Sequence, residues 1–422
     1  MADNDIYNNK YRYETFMDKL GSLVERPNGR TKQKYYCKNP LNLEYFRKLH
    51  KIFEAKDLSY IRRLRVFRVF SIVVYVSEKD LKECNRDDMD DIAVFSHTVN
   101  KSIKSKGDFI RDLKTIWKIL FPEVDQLGRI DDTVMPYPVR HLSSKIDKSK
   151  EILRNDRFTL EEFEKLVNYF SNDARLQCYI TLSFESLARP QELCYRKIKD
   201  IELEDTYARV WVRDHGKEGT KFLQCIDSFP YLLKWYEQHP YKGDKEAYFF
   251  ISNGRSNNPL TPLNVNKKLR LACRNLRMDK KITNYSFKRN GITMSRLRGD
   301  SDVSIQHRAG WTSTKQLKVY DMSTKEDAFK VELAKRGLIT EQKYENYLPK
   351  TKICVCGEVL GFAEKVCIKC KRLTDKEDIQ KSTEAEEEIK RFIVLVKESM
   401  TKEQFGEIIG KISLQGELSR KD

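Results

Sequence analysis

Apolar residues recur at three- and four-residue spacing over most of this chain, and that spacing predicts helices. Leu43, Phe46, Leu49, Ile52 and Phe53 make one stripe. Ile61, Leu64, Val66, Phe67, Phe70 and Val74 make a second, set among Arg62, Arg63, Arg65 and Arg68. Phe109 to Leu120 carries a third, after the basic run Lys101 to Lys106. Residues 41–127 therefore read as a small all-α domain with cationic flanks. Residues 1–40 are polar and tyrosine-rich, with a turn signal near Pro27 and weak periodicity, and read as an N-terminal extension to which no element is assigned.

The pattern lapses over 128–150, where Met135-Pro-Tyr-Pro-Val-Arg140 and a Lys/Ser-rich segment read as an interdomain linker. It resumes at Thr159-Leu-Glu-Glu162, spaced as a capping box, and runs through Leu187 to about Lys199. Two short stretches then alternate with period two, Ala208 to Arg213 and Phe222 to Ile226. The polar residues between them, Asp214 to Lys221, include two glycines, so the prediction is a β-hairpin with a basic tip. Helical spacing returns from about 229 to 340, closing a second domain at 151–345, and no internal repeat is visible.

Composition changes this picture in one respect. A formal charge of +17, from 80 basic and 63 acidic residues, suits a polyanionic partner such as nucleic acid. The longest apolar stretch, Val66 to Val76, contains Arg68 and is about half of what a bilayer requires, so no membrane is expected. The N-terminus lacks the layout of a signal peptide, which gives a cytoplasmic, nucleoid-associated expectation. Cys37, Cys84, Cys178, Cys194, Cys225 and Cys273 are scattered singly and read as packing thiols.

Four pieces of candidate chemistry fall in order. Leu187-Ala-Arg-Pro-Gln-Glu-Leu193 sets an arginine in a turn before a helix, and His215-Gly-Lys-Glu-Gly-Thr-Lys221 is the hairpin tip. Tyr285-Ser-Phe-Lys-Arg-Asn-Gly-Ile-Thr293 follows, and then the segment from Ile305 to Tyr320, with its Ala-Gly-Trp turn at 309–311. Their order and spacing resemble the tyrosine recombinase, or phage integrase, family, particularly its archaeal members. In that family a Leu-Gly-His/Trp turn stands nine residues before the nucleophilic tyrosine, the separation of Trp311 and Tyr320.

The resemblance implies a mainly α protein with a small antiparallel hairpin sheet. An α-helical core DNA-binding domain at 41–127 would precede a tyrosine recombinase catalytic domain at 151–345, and the two would clamp double-stranded DNA. It also implies roles. Tyr320 is the nucleophile, Arg189 the first phosphate clamp, Glu192 its orienting acid, and Lys217 the hairpin general acid, with Lys221 the alternative. The third motif departs from the family's His-x-x-Arg. Register puts Tyr285 at the histidine and Lys288 at the arginine, whereas chemistry favours Arg289, since a lysine cannot make a forked contact; both stay open. Trp311 replaces the commoner histidine and can donate an indole N–H to a phosphoryl oxygen.

This set of groups is what phosphodiester cleavage needs. Paired cations stabilise charge gathering on the phosphoryl oxygens. A covalent intermediate keeps the energy of the broken bond, and a general acid serves the departing 5′ oxygen. Joining then needs neither ATP nor a catalytic cofactor.

Cys354, Cys356, Cys367 and Cys370 form two close pairs over 350–373, a spacing that can surround a structural Zn²⁺ as a zinc ribbon. Beyond an acidic stretch, residues 380–422 read as an amphipathic helical tail. Ile389, Phe392, Ile393 and Val396 make one stripe, and Phe405, Ile408, Ile409 and Ile412 another. Such stripes serve internal packing or a contact between protomers. The resemblance implies a homo-oligomer, a tetramer, on DNA. The sequence-based reading is a site-specific recombinase in integration and excision of a mobile element. A replicon-dimer resolvase and a catalytically degenerate DNA-binding regulator are the alternatives.

Overall fold

The structure is a computed structural model that describes residues 5, 7–25, 34–145, 147, 155–213, 220–252, 257–339, 349–367, 369–374 and 376–399. The chain divides into two compact units, residues 1–154 and 155–422.

The first unit is helical: α1 (Asn9–Asp18), α2 (Leu43–Ala55), α3 (Tyr60–Val76), α4 (Arg86–Val99), α5 (Ile103–Leu120) and the single turn α6 (Tyr137–Arg140). The stripes read from the sequence are its core. Phe46, Leu49 and Phe53 from α2 meet Phe67, Phe70 and Val74 from α3 and Leu113, Ile116 and Trp117 from α5. The helix α1 was not anticipated. Tyr13 and Phe16 both pack on Phe67, and Tyr13 is buried with its ring stacked on Phe67 at 5.2 Å and its hydroxyl 2.8 Å from His50 Nδ1. Polar neighbours hide that spacing, and tertiary packing supplies the stability that propensity does not. Part of the cationic face of α3 is neutralised within the unit, since Arg62 and Arg65 pair with buried Asp112 at 2.9 and 2.6 Å.

The second unit opens with α7 (Leu160–Tyr169), α8 (Ala174–Ser186) and α9 (Pro190–Cys194). The predicted capping box is present at the start of α7: Glu162 N–H donates to Thr159 Oγ1 and Thr159 N–H to Glu162 Oε2. A three-stranded antiparallel sheet follows, β1 (Ile201–Leu203), β2 (Ala208–Val212) and β3 (Lys221–Cys225). Ala208, Val210, Val212, Leu223 and Cys225 point inward, as the alternation predicts. Val212 pairs with Lys221, so Lys221 is the first paired residue after the tip. The tip itself, with Lys217, lies outside the described residues. The strand β1 escaped the sequence reading because it is short and half exposed.

Next come α10 (Phe229–Glu237), α11 (Pro262–Asn275), α12 (Asn284–Arg298), α13 (Asp302–Ala309), α14 (Leu317–Tyr320) and α15 (Lys325–Lys335). Helix was expected throughout this region. Between α10 and α11, however, the described residues form no helix and are held by the bridges Lys197–Tyr248 and Ile251–Pro259. Pro240 and Pro259 interrupt helical hydrogen bonding there. Helix α8 is buried along its length and packs against α10, α12 and β3. Its close approach to α12 depends on Gly291, where a Cβ would lie 2.3 Å from the Phe184 carbonyl oxygen and 2.7 Å from Leu187 Cδ2. At the opposite side, buried Glu185 accepts from the backbone N–H of Ile226 (2.7 Å) and Ser228 (2.8 Å), fastening the β3–α10 corner. Burial pushes its carboxyl up to about 7.

The unit ends with a two-stranded ribbon, β4 (Lys352–Ile353) and β5 (Val359–Leu360), and the helix α16 (Lys376–Ser399). The ribbon is docked on α7, the helix that opens the second unit, and on α10. Phe362 stacks on Phe163 of α7 at 5.4 Å, and Ala363 N–H donates to the Tyr231 hydroxyl of α10 at 3.0 Å. A Cβ at Gly361 would lie 2.2 Å from the Tyr231 ring, so only glycine permits this seat. Ile389, Phe392 and Ile393 on α16 are exposed. The Val396 side chain and the stripe from Phe405 to Ile412 lie outside the described residues. All six scattered cysteines are buried, as packing thiols should be. Among the described residues no helix is long and apolar enough to cross a membrane.

Candidate active site

The first element of the site is a sharp turn. Leu187 ends α8 in a left-handed conformation (φ 55°), and Arg189 caps α9 with Pro190 in its first turn. Arg189 N–H donates to Glu192 Oε2 at 2.7 Å, and its Nη1 lies 3.4 Å from Glu192 Oε1. Lys221 reaches the same carboxylate from β3, with Nζ 2.9 Å from Oε1. Burial works against the charge on Glu192, but Lys221, Lys288 and the Arg189 N–H outweigh it and hold the carboxyl below its usual range.

The second element is α12. Lys288 is fully buried, 0% exposed, with Nζ 5.1 Å from the ring centre of Trp311 and 5.3 Å from that of Tyr320. These two rings stack on each other at 5.5 Å, tilted by 24°. Arg289 turns elsewhere. Its guanidinium pairs with buried Asp156 and reaches Ser286 Oγ at 3.3 Å. Successive helical residues diverge by about 100°, so one of the two must leave the site, and it is Arg289. Tyr285, one turn before Lys288, faces inward. Burial, and then the neighbouring Tyr320 and Glu192, raise its hydroxyl above the ordinary phenol value, against the opposing charge of Arg189.

Tyr320 ends the short helix α14 and packs on the cluster of Leu187, Ile292, Ile305, Ala309, Trp311 and Leu317. The chain just after it is pinned to the same unit. Met322 N–H donates to Thr293 Oγ1 at 2.9 Å, Arg296 Nη1 to Asp321 at 2.6 Å, and Arg157 forks onto Asp327 at 2.6 and 2.9 Å. Trp311 Nε1 is buried and has no acceptor among the described residues. Arg308 bonds Ser295 and Asp300, which makes it part of the scaffold.

The structure thus brings Arg189, Glu192, Lys288, Trp311 and Tyr320 together, adds Lys221 and Tyr285, and removes Arg289. Lys221 stood only as an alternative in the sequence, and Tyr285 only as the residue at the family's histidine position. A cluster of cations around buried Glu192, set beside the Tyr320 phenol, is suited to bind a phosphoryl group and to receive a phenoxide attack on it.

The four C-terminal cysteines also converge. All four Sγ atoms lie within 4.8 Å of one another, with Cys354–Cys370 at 3.4 Å and Cys356–Cys367 at 3.7 Å. Tetrahedral zinc with bonds of about 2.3 Å places sulfurs roughly 3.8 Å apart. The donor set and its spacing fit zinc.

Residues 156–327 match the phage integrase family. No curated protein matches the chain. Among solved structures, the XerH site-specific recombinase bound to palindromic difH substrate, a post-cleavage complex, is similar at 15% identity, with a TM-score of 0.53 over 80% of this chain and 98% of that one. The Tn1549 transposon integrase in complex with transposon right end DNA shares 13% identity, with a TM-score of 0.53 over 69% and 99%. A lambda integrase dimer bound to a COC' core site shares 14%, with a TM-score of 0.52 over 66% and 94%. At such identities the likeness is one of fold.

Proposed function

We propose that this chain, whose residues 156–327 form a tyrosine recombinase catalytic domain of the phage integrase family, cuts and rejoins duplex DNA in integration and excision of a mobile element. The observation that carries this reading is the seat of Tyr320: its ring stacks on Trp311 and lies against the buried ammonium of Lys288. A scissile phosphate placed there is gripped by Arg189, which Glu192 orients, and by Lys288. Trp311 Nε1 donates to a phosphoryl oxygen. Lys288 acts as a point charge where a second arginine would act as a fork.

Tyr320 attacks phosphorus as its proton passes to water. The new O–P bond makes a 3′-phosphotyrosyl intermediate, the P–O5′ bond breaks, and the departing oxygen takes a proton from a hairpin lysine. Lys217 is the family-implied donor, with Lys221 the alternative. Reversal by another strand's 5′ hydroxyl rejoins the DNA without ATP, because the phosphotyrosyl bond keeps the energy of the phosphodiester.

The protein works as a homo-oligomer, a tetramer, on DNA. The exposed apolar residues Ile389, Phe392 and Ile393 of α16 support a contact between protomers. The four cysteines hold one structural zinc, in the manner of archaeal-type members. Closed by thiolates on all sides, such an ion staples the ribbon and takes no part in cleavage. Purified wild type is expected to carry about one zinc per chain by elemental analysis, and Cys367→Ser to lose it while Arg189, Lys288 and Tyr320 keep their seats. Zinc retained in Cys367→Ser would refute the four-cysteine site.

The test of the function uses a nicked duplex spanning the junction of the element that carries the gene. Denaturing electrophoresis is expected to show a covalent protein–DNA adduct that forms equally well in EDTA. Binding without any adduct would overturn the cleavage reading in favour of a DNA-binding regulator.

A further inference from the structure

Lys221 makes more contacts than a proton donor requires. From the first position of β3 its side chain crosses to two other elements. Its ammonium donates to Glu192 Oε1 of α9 at 2.9 Å and to the carbonyl of Ala309, at the C-terminal end of α13, at 3.0 Å. A helix C-terminus is a favourable place for a cation, since its last carbonyls lack helical partners. The side chain is only 10% exposed.

The next residue, Gly310, makes the crossing possible. It lies in the left-handed region (φ 70°), and a Cβ there would fall 2.4 Å from Lys221 Cδ and 2.9 Å from Nζ. Glycine at this position thus does two things: it turns the chain out of α13 and leaves the channel that the lysine occupies. Trp311 follows at once, stacked on Tyr320. Glu192, at the other end of the link, accepts the Arg189 N–H that shapes the clamp turn.

We propose that Lys221 is a positioning residue that ties the Arg189–Glu192 turn to the Trp311–Tyr320 platform through its two acceptors. The proposal rests on the cleavage reading above and assigns proton donation to a different group. The ion pair with buried Glu192 depends on the charge of the ammonium, which suits a fixed strut. Without it, Glu192 would lose a partner while remaining buried, and the Ala309–Gly310 turn would lose its contact with the hairpin.

Single-turnover cleavage of the nicked junction duplex by the full chain tests this, with the departing atom either the natural 5′ oxygen or a 5′ bridging sulfur. A thiolate leaves without a proton, so the sulfur duplex bypasses any general acid. Lys221→Ala is expected to slow cleavage about 10²-fold on both duplexes, the order of effect that misplacement of reacting groups produces. Lys221→Arg should recover part of the rate on both, because a guanidinium can reach both acceptors. Gly310→Ala, which keeps the lysine but fills its channel, should behave like Lys221→Ala. A sulfur duplex that restores Lys221→Ala to the wild-type rate would overturn the proposal and make Lys221 the proton donor. So would Gly310→Ala cleaving like wild type. Wild type that binds both duplexes and cleaves neither would instead remove the cleavage reading, and this role with it.

Discussion

Tyr320→Phe is expected to bind the junction duplex as wild type does and to form no covalent adduct, a loss on the order of 10⁴-fold or more. The substitution removes one oxygen atom and nothing else. The ring is held by stacking on Trp311 and by the cluster of Leu187, Ile292, Ile305 and Leu317, none of which involves the hydroxyl. Melting temperature and DNA affinity should therefore stay close to wild type, while chemistry stops. The seat of Tyr320 also predicts that each chain supplies the nucleophile for its own site. Tyr320 packs against Trp311 and Lys288 of its own chain, and the residues after it are fastened there by Thr293, Arg296 and Arg157. Mixing Tyr320→Phe with Arg189→Ala should therefore restore no adduct, since each assembled site lacks one essential group. An adduct in the mixture would mean that the tyrosine crosses to a partner's site, and the cis arrangement would be wrong.

The pieces of this site differ in how far the sequence could reveal them, and the difference is physical. The nearness of Tyr320 to Trp311 was legible through the resemblance, in which a turn like Ala309-Gly310-Trp311 stands nine residues before the tyrosine. The capping box at Thr159 and the inward alternation of Ala208, Val210 and Val212 are local in the same sense. The cysteine pairs were legible for a chemical reason, since four thiols at close spacing have few other uses. The choice between Lys288 and Arg289 was not local. Asp156, more than a hundred residues upstream, captures the arginine, and no periodicity foretells that. The helix α1 hid for a related reason: its burial depends on Phe67 and Phe46, which belong to other elements. The seat of the ribbon on Tyr231 depends on Gly361, a glycine whose purpose is invisible until the ring is placed over it.

The separation of Lys288 from Arg289 yields the second large effect. Lys288→Met keeps an unbranched, buried side chain between Trp311 and Tyr320 while removing the charge, so the fold should hold. Adduct formation should fall by roughly 10²–10³-fold, the usual consequence of losing one preorganised charge from a phosphoryl site. Arg289→Met should show the opposite pattern. It leaves Asp156 buried without its guanidinium, a defect that typically costs about 3–5 kcal/mol, so the protein should melt at a clearly lower temperature. Below that temperature its cleavage rate should remain within about tenfold of wild type, because the charges of Arg189 and Lys288 stay beside Tyr320. Lys288→Arg is the informative third variant. The fork would suit a phosphate better than an ammonium, but the position is fully buried and the larger head must displace one of the two rings, with overpacking costs of about 1–3 kcal/mol. Its expected rate lies between wild type and Lys288→Met. The assignment stands or falls on the split between chemistry and stability: a Lys288→Met protein that cleaves normally beside an Arg289→Met protein that folds normally but does not cleave would move the second phosphate clamp to Arg289.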